Sequence, residues 1–149
     1  MDCLRECVIV AKNSKFFKQL GKFIEVVDET STKEFRSVGL AGLKGVMLKT
    51  PVDNGTARAN WNVGVNTIDN STGSESSSKA KKNLDPSKFN EGSREIDSVK
   101  IGDTLNISNS MPYVNRLEYD DGVSTQGSGM VRRTLAELKS ALKKKRGMV

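Results

Sequence analysis

The residues that could do covalent or acid–base chemistry are few in kind. Histidine is absent from the whole chain, which removes Ser-His-Asp and Cys-His nucleophilic machinery and the commonest general base near neutral pH. Cys3 and Cys7 stand at i and i+4 as the only two cysteines. Without histidine or further cysteine they complete no zinc shell, and they read as reduced thiols of a cytosolic protein. Carboxylates and lysines are plentiful, but none falls in a catalytic motif: there is no G-x-x-x-x-G-K-[ST], no G-x-G-x-x-G and no paired-Asp metal loop. Gly39, Gly42 and Gly45 recur at every third position, a spacing that a phosphate-binding loop does not require. The expectation is a protein with no enzymatic activity, no metal and no cofactor.

Charge is the next handle. The net charge of the chain is +6, and its placement matters more than its size. Arg132, Arg133, Lys139, Lys143, Lys144, Lys145 and Arg146 are opposed over residues 130–149 by Glu137 alone. That segment carries the whole excess, and the rest is neutral overall. Such a patch can touch nucleic acid or an acidic protein surface, though a solvated helix end is the commoner meaning.

These side chains need a scaffold, and 149 residues suffice for one domain with a modest core. Apolar residues make up 36% of the chain, below the usual range of about 45–50%, so part of it lies outside the core. No stretch approaches the roughly 20 apolar residues of a membrane helix, and acidic Asp2 and Glu6 flank the N-terminal apolar run, unlike a secretory signal. The expected protein is soluble, not exported by the general route, and has no membrane partner.

Residues 1–13 read as an N-terminal arm, strand or packing segment, ahead of a single domain over 14–149. Phe16, Leu20, Phe23, Ile24 and Val27 follow helical spacing, with Ser14 as N-cap. A second helical segment, or a continuation of the first, carries Phe35, Val38, Gly42 and Val46 with Leu40, Leu43 and Met47 beside them. It must end near Lys49, because Pro51 disfavours helix at Thr50. The three glycines cost up to about 1 kcal/mol each in a helix, so they mark a close approach by a sheet, by another subunit or within the monomer.

Asp53-Asn54-Gly55 is a turn signal. Ala57, Ala59, Trp61, Val63 and Val65 then alternate with polar residues, predicting a strand. Asn70–Glu95 is poor in apolar residues and reads as a long mobile loop. Ile96–Ile101 and Leu105–Asn109 read as a hairpin, Pro112–Leu117 as a short helical turn, and Val131, Leu135, Leu138 and Leu142 as an amphipathic C-terminal helix stopped by Gly147. The fold class is α+β: an antiparallel sheet against N-terminal helices and a C-terminal amphipathic helix, with the flexible insert at about 70–95.

The order of these signals carries a resemblance. Thr50-Pro51-Val52-Asp53-Asn54-Gly55 is followed by Ala57-Arg58-Ala59-Asn60-Trp61, then by Asn109-Ser110-Met111-Pro112-Tyr113, Leu117-Glu118-Tyr119 and Gly129-Met130-Val131. Together they resemble the neck and tail-completion proteins of tailed bacteriophages, the minor tail protein Z-like group, from about Phe16 to Leu142 excluding the 70–95 insert. Departures fall at Asn54, Thr56, Asp120-Asp121 and Gly127-Ser128.

The resemblance implies a virion subunit, made in the host cytoplasm, that assembles into a homo-oligomeric ring, commonly a hexamer, at the head-proximal end of the tail. Its neighbours would be the head-side connector and tail tube or tail terminator proteins, with non-specific contact to packaged DNA. Pro51, Asp53 and Gly55 then form the turn that ends the helix. Trp61 is a core residue or, in an interface, an anchor. Arg58 and Arg132 or Arg133 pair with Glu118 or a neighbour's acids, or are simply solvated. Candidate subunit contacts are Arg58, Trp61, Asn109, Pro112, Tyr113, Leu117, Glu118 and Tyr119, while Arg132 to Arg146 face the lumen or DNA. The alternative is a small basic nucleic-acid-binding module using the C-terminal helix.

Overall fold

The computed structural model describes residues 3–53, 55–73, 86–122, 124 and 127–147, with side chains from Lys15 onward. The thiols of Cys3 and Cys7, Asn54 of the turn and residues 74–85 of the insert lie outside the described set, whereas Ser14 falls inside the first helix and so is not its N-cap. The fold is α+β: among the described residues, five helices accompany one two-stranded antiparallel sheet.

A single helix, α1 (Cys3–Lys49), runs for 47 residues, about 70 Å at 1.5 Å per residue. The second helical segment is thus a continuation of the first, and the backbone of α1 takes in most of the segment read as an arm. The polar stretch Asp28–Lys33 does not interrupt it because it contains neither glycine nor proline. Every residue from Lys15 to Thr30 is exposed, whereas Gly39, Gly42, Leu43, Val46 and Met47 are buried. From Lys15 to Thr30 α1 is therefore a free rod, and from Gly39 onward it is a core helix. Arg36 marks where the body begins: its Nε and Nη2 donate to the Val99 carbonyl at 2.9 and 2.8 Å.

After α1 come a helical turn, α2 (Thr56–Ala59), and strand β1 (Asn62–Val65). The strand expected from Ala57 onward is thus confined to its second half. Alternation failed there because Ala57 to Trp61 are all buried; the chain closes a tight turn, with Ala59 N–H bonding Gly55 O at 3.0 Å. Small alanines suit a turn as well as a strand, so spacing alone did not discriminate.

β1 pairs antiparallel with β2 (Leu105–Ser108), Asn62 opposite Ser108 and Val65 opposite Leu105. Between them lies α3 (Pro86–Ser98). This corrects two expectations: the second half of the 70–95 insert is helix, and Ile96–Ile101 forms no strand. Pro86 is pre-set for the first helical position. Phe89, Gly92, Ile96 and Val99 then recur at helical spacing, with Gly92, Ile96 and Val99 buried and Phe89 partly so. Scarcity of apolar residues hid their periodicity.

The last helices are α4 (Val114–Tyr119) and α5 (Met130–Gly147). α5 lies along α1, and the core gathers Leu43, Val46, Met47, Trp61, Val63, Ile96 and Met130. The glycine stripe explains the closeness of the layers. A Cβ on Gly39 would stand 2.5 Å from Leu105 Cδ2, and one on Gly45 would stand 2.5 Å from Thr134 Cγ2. β2 and α5 therefore reach the backbone of α1, so the expected close approach lies within the monomer.

Candidate functional site

The motif residues build two internal joints. The first closes the C-terminus of α1, where the last carbonyls lack helical partners. Arg58 is buried at 6% exposure, and its Nη2 donates to Thr50 O at 3.0 Å and Leu48 O at 3.3 Å. A guanidinium there suits the negative end of the helix dipole. Burial pushes its pKa below the ordinary arginine value by desolvation, and its Nε and Nη1 find no hydrogen-bond partner among the described residues. Arg58 is thus neither solvated nor paired with Glu118.

Trp61 sits beside it, its indole N–H donating to Thr50 Oγ1 at 2.8 Å, while the Thr50 hydroxyl donates to Val46 O at 2.6 Å. At 7% exposure Trp61 is a core residue. Gly55 holds φ 85°, in the left-handed region that glycine enters without penalty; Pro51 is buried and Asp53 exposed. Asn109 clamps the turn from β2, donating through Nδ2 to Ala57 O at 2.7 Å and accepting from Met111 N at 3.2 Å.

The second joint ties α4 to α5. Glu118 is buried at 5% exposure, and its carboxylate accepts the main-chain N–H groups of Val131 at 2.8 Å and Arg132 at 3.0 Å. A carboxylate at a helix start satisfies orphan donors and complements the dipole. Arg132 Nε adds a bond to Glu118 Oε1 at 3.2 Å, Nη2 bonds Glu118 O at 2.5 Å, and the guanidinium lies 5.2 Å from the Tyr119 ring centroid. The expected Glu118–arginine pair exists, with Arg132 as partner.

Four of the candidate subunit contacts, Arg58, Trp61, Asn109 and Glu118, are thereby spent inside the monomer. Their donors, acceptors and rings close turns of the chain on itself. Leu117 is half-buried against the core, and Pro112, Tyr113 and Tyr119 are exposed. On α5, Arg133, Lys139, Lys143, Lys144 and Arg146 are exposed, whereas Lys145 bonds Glu34 at 3.3 Å and Arg132 is engaged as above. Thr50, Arg36 and Thr134 were missed. Thr134, 3% exposed, returns its hydroxyl to Met130 O at 2.7 Å, and only its i+4 spacing from Met130 could have signalled it.

A groove and a hollow remain open between the elements. A groove of about 270 Å³ between α1, β2 and α5 is lined by Phe35, Val38, Leu105, Ile107, Leu135 and Leu138, among others. A more polar hollow of about 420 Å³ lies between β1 and α3 with Asp69, Lys88, Glu91 and Glu95 on its walls; Lys88 and Glu91 are bonded to each other at 2.9 Å. Among the described residues no group of three or more cysteine or carboxylate side chains is placed to hold a metal ion, and no helix is long and apolar enough to cross a membrane. The arrangement offers surfaces for contact, and the donors and acceptors of the two joints are already committed. Set beside known proteins, the chain matches no family model, no curated protein and no solved structure.

Proposed function

We propose that this chain is a structural, ring-forming subunit of a tailed-bacteriophage neck or tail end, a tail terminator or head–tail joining component without catalytic activity. The reading rests on the ordered motifs and on one observation above all. The α1/β2/α5 groove leaves Phe35, Val38, Leu135 and Leu138 lining an open surface of a small domain, while the polar motif residues are consumed in its joints. A ring subunit needs a face that a neighbour can fill, and closure follows from a fixed rotation between unlike faces. Head-side connector, tail tube and tail terminator proteins are the implied neighbours, and the virion is the implied location.

Light scattering combined with negative-stain microscopy of the purified full chain tests it. A monodisperse closed ring supports the reading, and Leu138→Lys in the groove should dissolve the ring while leaving the fold intact. A monomer at all concentrations overturns it. The exposed Arg133, Lys139, Lys143, Lys144 and Arg146 favour a second reading, a nucleic-acid-binding module. Tight DNA binding by the monomer that weakens steeply with salt would select it.

A further inference from the structure

The outer edge of β1 is a feature that the ring reading does not use. Asn66 N–H donates to Thr104 O at 2.8 Å, and within the ladder Asn62 stands opposite Ser108 and Gly64 opposite Asn106. By the alternation of an antiparallel pair, Asn62, Gly64 and Asn66 bond inward to β2, so the N–H and C=O of Val63 and Val65 point away from it. Among the described residues no strand lies on that side, and those groups find no main-chain partner. Val63 is 8% exposed, and an unpaired main-chain group so nearly buried costs about as much as a lost hydrogen bond. Exposed edges are commonly blunted by charge or proline; Asn62-Val63-Gly64-Val65 carries neither.

This edge opens into the hollow of about 420 Å³ between β1 and α3, which Trp61 to Val65 line in unbroken order. A hollow on one face of a strand would touch alternate residues only, so this one runs along the edge. One wall is the flank of α3, where Lys88, Glu91 and Glu95 stack at spacings of three and four. The other is the chain after β1, folded back on the sheet: Thr67 O accepts from Asn106 Nδ2 at 2.9 Å and Asp69 O from Ser108 Oγ at 2.6 Å. A Cβ on Gly64 would run into the Thr67 carbonyl. The floor of the slot is thus main chain with free donors and acceptors. A helix has already spent its main-chain groups and cannot pair with that floor, whereas an extended segment can. The charge of the walls narrows the choice further. Asp69, Glu91 and Glu95 outnumber Lys88, which is bonded to Glu91 at 2.9 Å, and Glu95 has no ion-pair partner among the described residues.

We propose that the β1/α3 hollow takes an extended, basic segment of a partner polypeptide as a third strand against β1. Main-chain bonds to Val63 and Val65 supply the affinity, and the carboxylates of Asp69 and Glu95 select lysine or arginine side chains. The surface is separate from the α1/β2/α5 groove, and the proposal is independent of the ring reading.

Titration of the full chain with the peptide acetyl-Arg-Val-Arg-Val-Arg-amide, followed by NMR, tests it. The expected result is saturable binding that slows hydrogen exchange at the Val63 and Val65 amides, with no binding of acetyl-Glu-Val-Glu-Val-Glu-amide. Exchange at both valines unaffected by bound peptide would overturn the proposal, as would equal binding of the acidic peptide. Two N-methylated forms of the basic peptide separate main-chain pairing from charge. Alternate amides of a strand point to opposite edges, so methylating the arginine nitrogens or the valine nitrogens should differ, one form binding about tenfold more weakly than the other. Equal affinities of the two forms would show that no strand is added. Protection of both valine amides before any peptide is present would show the edge already covered, and would overturn the proposal too. Glu95→Lys should weaken the basic peptide severalfold at an unchanged melting temperature, and undiminished binding would remove the charge selection on which the choice of partner rests.

Discussion

The Glu118 carboxylate takes the main-chain N–H of Arg132 at 3.0 Å, and the Arg132 guanidinium returns to Glu118 through Nε at 3.2 Å. One residue thus receives both the backbone and the side chain of the other. The short helix α4 is fastened by this reciprocity to the first turn of α5. Neither element is long enough on its sequence propensity alone to fix that angle.

Glu118→Gln should cost about 1–2 kcal/mol, because a neutral amide accepts less strongly and cannot serve two N–H groups and a guanidinium equally. Glu118→Ala should cost more, about 2–4 kcal/mol, by leaving buried donors without a partner. Denaturant midpoints of the two variants against the parent measure both. Equal midpoints for all three proteins would show that the joint contributes nothing.

Thr50→Val keeps the shape of the side chain but removes the acceptor of the Trp61 N–H. A buried, unpaired indole donor should lower stability by about 1–3 kcal/mol. Trp61→Ala empties the same site and should cost about 3–5 kcal/mol. As the chain has a single tryptophan, its fluorescence reports the site directly. Unchanged melting with assembly lost would place Trp61 in an interface.

Two glycines of α1 should respond oppositely to alanine. Nothing lies within 4 Å of a Cβ at Gly21, whereas one at Gly45 would meet Thr134 at 2.5 Å. Gly21→Ala should raise helicity and stabilise by up to about 1 kcal/mol. Gly45→Ala gains the same propensity but drives α5 away, for a net loss of about 1–2 kcal/mol. Circular dichroism and thermal melts decide the signs.

Asp103 closes the end of the sheet where Asn66 leaves β1 and Thr104 leads into β2. Its oxygens accept from Asn66 Nδ2 at 2.9 Å and Lys100 N at 2.8 Å, and the Asn66 bond, followed by that from Lys100, holds its pKa below the ordinary value. A depressed carboxyl stabilises the fold above its unfolded pKa of about 3.9, and that contribution is lost as pH falls through the lower folded value. A carboxyl titration followed by NMR should show a midpoint below that reference. Asp103→Asn should remove part of the acid-side decline in stability and leave its slope near neutrality unchanged.

Periodicity and proline were the legible signals. The end of α1 at Lys49, β2 and α5 follow from Pro51, from the Leu105–Ile107 alternation and from the Leu135–Leu138–Leu142 spacing. α3 was hidden because Phe89 stands nearly alone among serines and lysines and looked like a loop, while Ile96 and Val99 looked like a strand; Phe89, Gly92 and Ile96 mark one helix face, and Val99 follows its last turn. The strand at Ala57 was over-read because a buried turn and a strand present the same small residues. At the joints, Glu118 and Arg132 could be paired from their chemistry, but Arg58 could not be placed. Its partners are main-chain carbonyls, which carry no letter in the sequence.

The contact between α1 and α5 also sets an order of events. Lys49 meets Glu137 across 88 positions, and Glu34 meets Lys145 across 111. During translation at about 5–20 residues per second, the inner face of α1 therefore waits several seconds for the segment that covers it. Nascent chains carry the α5-facing side of α1 uncovered by α5 throughout that interval.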